Sequence, residues 1–257
     1  MTFRTEIIGD ATLYLGDTFD VMPTLSGIDH VIGDPPYEKE AHKQGRRTQA
    51  SVKRGENADL DFDAITEDQR LRTAAEGVRL SRGWLLLFCQ AEAAGVWRDA
   101  IEAGGGKYKR TMVWIKPDST PQLNGQMPAP GYESMPLAWC GAGHSNWNGG
   151  GKRGVYTRMT NAPDRHGVHK TEKPVLLMTD LIADFTQYGQ TVLDPFMGSG
   201  TTGVACARLG RKFVGVELNE TYFDIACRRI EQAYMQPRLF AEPPPKPVQT
   251  SMLESFG

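Results

Sequence analysis

The stretch Val192-Leu193-Asp194-Pro195-Phe196-Met197-Gly198-Ser199-Gly200-Thr201-Thr202-Gly203 decides the fold. Its apolar start reads as the end of a buried strand, and Thr201 to Leu209 reads as a helix. Between them, Gly198-x-Gly200-x-x-Gly203 satisfies the dinucleotide fingerprint, in which glycines turn the chain and a helix start receives an anion. A second strand over Lys212 to Val216 ends at Glu217, 19 residues past Gly198. That is close to the roughly 20 expected of an acid that holds a ribose hydroxyl. This half binds a nucleoside, and spacing alone leaves open which; a nicotinamide dehydrogenase fits it too.

Chain order narrows the choice. Glu220 to Tyr234 reads as one helix, after which prolines end the domain, so the remaining strands must come from the N-terminal side. Thr12 to Leu15 ends at Gly16-Asp17, Ile28 to Ile32 runs into Gly33-Asp34-Pro35-Pro36-Tyr37, and Trp84 to Phe88 has the composition of a buried strand. One sheet with a permuted sequence start follows. Asp34 then lies at the carboxyl end of a strand, where open α/β sheets bind ligands. An aspartate oxygen and the Pro35 carbonyl can both accept from one exocyclic amino group, with Tyr37 stacked on the base that carries it. Proline fixes φ and so holds that carbonyl in place. An isolated Asp-Pro-Pro is more often a turn cap; Tyr37 and the glycine motif downstream favour a site.

Together, Asp34-Pro35-Pro36-Tyr37, Phe196-x-Gly198-x-Gly200 and the segment His169 to Pro174 resemble the amino-group DNA methyltransferases. The resemblance runs from Leu13 to Ile230, in the motif order of the beta class. Lys170 stands where that family usually has proline. The resemblance implies an α/β Rossmann-like, seven-stranded, mostly parallel sheet with one antiparallel strand at the tryptophan-bearing edge, and a short target-recognition insertion. It also implies S-adenosylmethionine as cofactor, no metal, and double-stranded DNA as substrate, in a restriction-modification setting. On this basis Asp34, Pro35, Pro36 and Tyr37 are the catalytic candidates. Asp17, Asp34, Lys173, Asp194, Phe196, Gly198, Ser199, Gly200, Thr201, Thr202 and Glu217 are the cofactor candidates. Asp17 faces the cofactor's adenine, Glu217 its ribose and Lys173 its carboxylate, while the glycines let the backbone approach it. Asp34 favours the N6 amino group of adenine, since N4-cytosine enzymes usually carry serine there. N4-cytosine methylation and a non-catalytic DNA-binding regulator are the alternatives. A protein or RNA methyltransferase usually has asparagine before Pro-Pro-Tyr and its cofactor motif first, which disfavours it.

The remaining chain fits this frame. With 257 residues, 40% hydrophobic and 23% charged, and a net charge of -2, one sizeable α/β core is expected, and any DNA contact must be a local patch. Candidate patches are the mobile basic loop 38–63, with Lys39, Lys43, Arg46 and Arg47, and the glycine-rich target-recognition region 141–168, with Lys152, Arg153 and Arg158. Cys89, Cys140, Cys206 and Cys227 show no metal or redox spacing and are expected reduced and buried. No leader-like segment opens the chain and the longest apolar run is too short for a bilayer, so a cytoplasmic location is expected. The catalytic domain is expected over residues 1–235, followed by a proline-rich tail, 236–257. In that tail Gln236-Pro237-Arg238-Leu239-Phe240 resembles peptides that dock on replication sliding clamps. Dimers are common in the beta class, so a homodimer is expected.

Overall fold

The computed structural model describes residues 3–37, 64–121, 126–161 and 172–236. The basic loop 38–63, residues 162–171 and the clamp-like peptide beyond Gln236 lie outside them. The strands are β1 (Arg4–Ile8), β2 (Ala11–Leu15), β3 (His30–Gly33), β4 (Trp84–Leu87), β5 (Lys107–Ile115), β6 (Tyr132–Trp139), β7 (Val155–Thr157), β8 (Thr191–Asp194) and β9 (Lys212–Glu217). The helices are α1 (Thr18–Val21), α2 (Glu67–Leu80), α3 (Ala94–Ala103), α4 (Val175–Phe185), α5 (Thr201–Leu209) and α6 (Glu220–Met235).

One sheet runs β1-β2-β9-β8-β3-β4-β6-β5-β7, with nine strands among the described residues rather than seven. The seven expected strands are all present. The two additions sit at the edges, where neither has an apolar run to announce it. β1 is largely exposed and reaches β2 through a turn at Gly9, whose φ is +56°; β7 has three residues. β6 runs antiparallel to both β4 and β5, as expected, but β1 is a second antiparallel strand, against β2.

β3 and β4 are buried along their whole length, because helices cover both faces of the sheet. Trp84 and Leu86 join one core with α4, α5 and α6, while Leu85 and Leu87 join the other with α2 and α3. That alternation is the two-residue period of a strand. Trp114 and Trp139 are core residues. All four cysteines are free; Cys89 and Cys206 are buried, whereas Cys140 and Cys227 are only partly so.

Apolar periodicity predicts a helix over Ala64 to Leu80; α2 starts at Glu67 instead. Thr66 Oγ1 accepts from the Gln69 amide and Gln69 Oε1 accepts from the Thr66 amide, a reciprocal cap that fixes the start. Its buried stripe is Thr73, Ala74, Gly77 and Leu80; of the face that spacing predicts, Leu71, Ala74, Ala75 and Val78, Ala74 is buried and Val78 partly so, while Leu71 and Ala75 are exposed. No described helix is long and apolar enough to cross a membrane.

Candidate active site

The two motif strands are neighbours in the sheet. From β8 the chain passes through α5 to β9 on one side, and from β3 it passes to β4 on the other, so the connections diverge between β8 and β3. Such a switch point opens a crevice at the carboxyl ends of the strands. Asp17, Glu217, Asp194 and Asp34 follow or end β2, β9, β8 and β3 around one cavity of about 1060 Å³. The motifs touch there: a Cβ on Gly33 would stand 2.9 Å from Pro195 Cδ and 3.0 Å from Asp194 Oδ1. Every catalytic and cofactor candidate named above lines this cavity except Gly200.

In the nucleoside half, the glycines divide their work. Gly198, at φ +52°, has open space where a Cβ would stand and leaves a cradle at the cavity. Gly200 and Gly203 are not among the residues that line the cavity. A Cβ on them would meet Ala226 at 2.8 Å and Ile230 at 2.5 Å, so they let α5 pack on α6. Glu217 accepts from the amides of Gly198, at 2.9 Å, and Asn219, at 2.8 Å. It keeps lone pairs for a ribose, and burial raises its pKa. Asp17 caps α1 by accepting from Phe19 N at 2.8 Å. Asp194 has both oxygens engaged within its own loop, by Phe196 N at 3.0 Å and Thr202 Oγ1 at 2.5 Å. Its burial pushes the carboxyl up to about 7.

Two residues that carry this half were not singled out by sequence. Arg229, buried on α6, donates to the Ser199 carbonyl and hydroxyl, each at 2.7 Å, and pairs with Glu172 at 2.5 Å. A signal existed: arginine adjoins the apolar stripe Phe223, Ala226, Ile230 and Ala233 of α6, and a cation on such a stripe needs a buried anion.

The catalytic corner holds a second surprise. Lys173, expected to meet the cofactor's carboxylate, is buried among side chains of the catalytic corner instead: its Nζ lies 2.5 Å from Asp34 Oδ2, 3.3 Å from Glu133 Oε2 and 3.3 Å from Tyr37 Oη. It also sits over the Phe88 ring, 5.0 Å from the centroid. Tyr37 Oη donates to Glu133 Oε2 at 2.6 Å, and Lys116 Nζ donates to Glu133 Oε1. Burial raises Asp34, against the opposing pull of Lys173. Burial also works to raise Glu133, but Lys173 and Lys116 outweigh it and hold the carboxyl below its ordinary range. Tyr37 is pushed well up by burial and by the two acids. Glu133 and Lys116 carry no motif; the one hint is an acid at the start of the otherwise apolar β6.

The family described as DNA methylase (N6_N4_Mtase) matches residues 28–228, which span both motifs. The chain belongs to this family. Among its relatives, the type II methyltransferase M2.DpnII of Streptococcus pneumoniae is 48% identical over 65 residues, covering 25% of this chain and 24% of that protein. Matches to the first curated relatives span 24% to 47% of those proteins' length. Among solved structures, the M1.HpyAVI–SAM complex superposes with a TM-score of 0.65 at 24% identity, covering 86% of this chain and 98% of that one. PvuII DNA methyltransferase, described as cytosine-N4-specific, superposes with a TM-score of 0.67 at 14% identity, covering 91% and 95%. These superpositions establish the permuted methyltransferase-type fold.

Within this family member, the expected DNA-facing cations of the glycine-rich region are otherwise engaged. Lys152 pairs with Asp184 and Arg158 with Asp180, both at 2.6 Å. The described part of that region is strapped to α4: Trp147 packs edge-on against Phe185, and the Asn148 side chain donates to the carbonyls of Ala183 and Thr186. Trp147 and Tyr156 there serve packing, while Lys152 and Arg158, expected to face phosphates, each already hold a carboxylate of α4. Arg153 is exposed. Lys39, Lys43, Arg46 and Arg47 lie outside the described residues.

Proposed function

We propose that this chain transfers a methyl group from S-adenosylmethionine to the N6 amino group of adenine in double-stranded DNA. The observation that carries this is the contact of the two motifs at the switch point: Asp34, Pro35 and Tyr37 share one cavity with the open cradle of Gly198 and with Glu217. The residues fit the cofactor. Glu217 and Asp17 would hold its nucleoside, and the Gly198 loop with the start of α5 would hold its carboxylate end. Bound there, S-adenosylmethionine supplies an electrophilic methyl group. Asp34 and the Pro35 carbonyl accept the two amino hydrogens of the target and draw its nitrogen out of plane, freeing the lone pair. Asp34 takes up the proton that the nitrogen gives off, and Tyr37 stacks on the base. This corner is recessed, so a stacked and paired base cannot reach it and must be flipped out. Catalysis then rests on positioning and fixed charges rather than on a covalent enzyme intermediate.

The test is transfer of labelled methyl to unmethylated DNA, with nucleoside analysis of the product and Asp34→Ala beside the wild type. N6-methyladenine that disappears in the variant is the expected result. N4-methylcytosine would overturn the base assignment and keep the reaction class; cofactor binding without transfer would favour a regulator. A homodimer and a clamp contact through Gln236–Phe240 belong to the same reading. Sedimentation tests the first, and clamp pull-down with Phe240→Ala tests the second.

A further inference from the structure

The catalytic corner contains a conflict. Asp34 must accept a hydrogen from the target amino group, yet Lys173 already sits on Asp34 Oδ2 at 2.5 Å. The other oxygen, Oδ1, is buried with no hydrogen-bond partner among the described residues, so it is closed to an incoming base. The amino group must therefore take Oδ2, and the ammonium must go elsewhere. A destination is at hand: Glu133 Oε2 and Tyr37 Oη each lie 3.3 Å from Lys173 Nζ.

We propose that Lys173 is a placeholder for the target amino group and that Glu133 is the anion onto which its ammonium shifts when the base enters. This rests on the methyl-transfer reading. Glu133 is a positioning residue in two ways, because the same carboxylate receives Lys173 and anchors the Tyr37 hydroxyl at 2.6 Å. Lys116 balances the charge, so that Asp34, Glu133, Lys173 and Lys116 form a neutral quartet. The swap needs only a small displacement of one flexible side chain and leaves no buried charge without a partner.

Methyl transfer by Glu133→Gln tests this. The amide can still accept from Tyr37 but offers Lys173 no anion. Loss of one charge-assisted hydrogen bond predicts a kcat lower by roughly ten- to a hundred-fold, with KM for S-adenosylmethionine unchanged. The charges facing Asp34 are Lys173, Glu133, Lys116 and, from β8, Asp194. Glu133 raises Asp34, so its removal moves the acid limb of the kcat profile to lower pH. Tyr37→Phe removes the hydroxyl and keeps the anion, so its acid limb stays in place. Glu133→Gln with Lys116→Met restores charge balance should the single variant fold poorly, and it should show the same loss. Wild-type kcat in either Glu133 variant, or matching pH profiles for Glu133→Gln and Tyr37→Phe, overturns the placeholder while methyl transfer stands. No transfer by the wild type overturns both.

Discussion

Arg229→Met removes the cation that ties α6 to the glycine loop. The guanidinium is buried, pairs with Glu172 at 2.5 Å and donates twice to Ser199 at 2.7 Å. The Glu172 side chain is wholly buried, so truncation strands a charge away from water. Breaking a buried pair in this way costs about 3–5 kcal/mol. With an m-value of about 3 kcal/mol/M in urea, the midpoint should fall by roughly 1–1.7 M. The companion variant Glu172→Leu with Arg229→Met removes the stranded charge as well. What then remains is the Ser199 carbonyl without its donor, about 1–3 kcal/mol, so the pair should regain roughly 2 kcal/mol of the loss. Urea unfolding of wild type, both single variants and the double variant measures that coupling directly. A double variant no more stable than Arg229→Met would refute the reasoning, because the loss would then come from packing rather than from an uncompensated charge. Affinity for S-adenosylmethionine should fall in parallel, since the Ser199 turn loses its anchor.

Three further outcomes follow from the same geometry. His30 is buried, with Nδ1 accepting from the Trp84 amide and Nε2 facing Gln190 Oε1, and burial lowers its pKa below 6.5. The unfolded chain binds the proton first, so this stabilisation is present above 6.5 and fades as pH falls. The urea midpoint gap between wild type and His30→Gln should therefore narrow from pH 7 to pH 5. Asp194, raised to about 7 from an ordinary 3.8, has the opposite sign: its contribution is full below 3.8 and is lost as pH rises through 7. Asp194→Asn should flatten that slope in denaturation curves collected from pH 4 to pH 8. Gly33→Ala places a methyl 2.9 Å from Pro195 Cδ; overpacking of this kind costs about 1–3 kcal/mol, and methyl transfer should fall with it. Gly95→Ala in α3, where a Cβ meets nothing within 4 Å, is the control and should stabilise by about 0.5–1 kcal/mol.

Much of the architecture was legible before any coordinates. The apolar strands, the α5 boundaries and the position of Asp34 and the glycine loop at the carboxyl ends of strands all follow from local signals: strand periodicity, proline and glycine punctuation, and two motifs at the ends of strands. β1 and β7 escaped because an exposed edge strand needs no apolar run, and its pairing depends on a neighbour supplied by the fold. The glycines show how one motif can serve two ends. Gly198 opens onto the cavity, but Gly200 and Gly203 are small because Ala226 and Ile230 of α6 press against them. Likewise Lys152 and Arg158 are cationic as DNA contacts would be, yet Asp184 and Asp180 of α4 claim them.

By itself the sequence determined the class of sheet, the order of its motifs and the chemistry of Asp34-Pro35-Pro36-Tyr37, because each depends on residues within one turn or strand of one another. Only the tertiary structure decided that Asp34, Lys116, Glu133 and Lys173 form one ion network. Those side chains come from four separate segments, and their meeting depends on β6 inserting antiparallel beside β4 and on α4 starting over the ends of the parallel strands. A charge announces neither its partner nor its burial; the strand order supplies both.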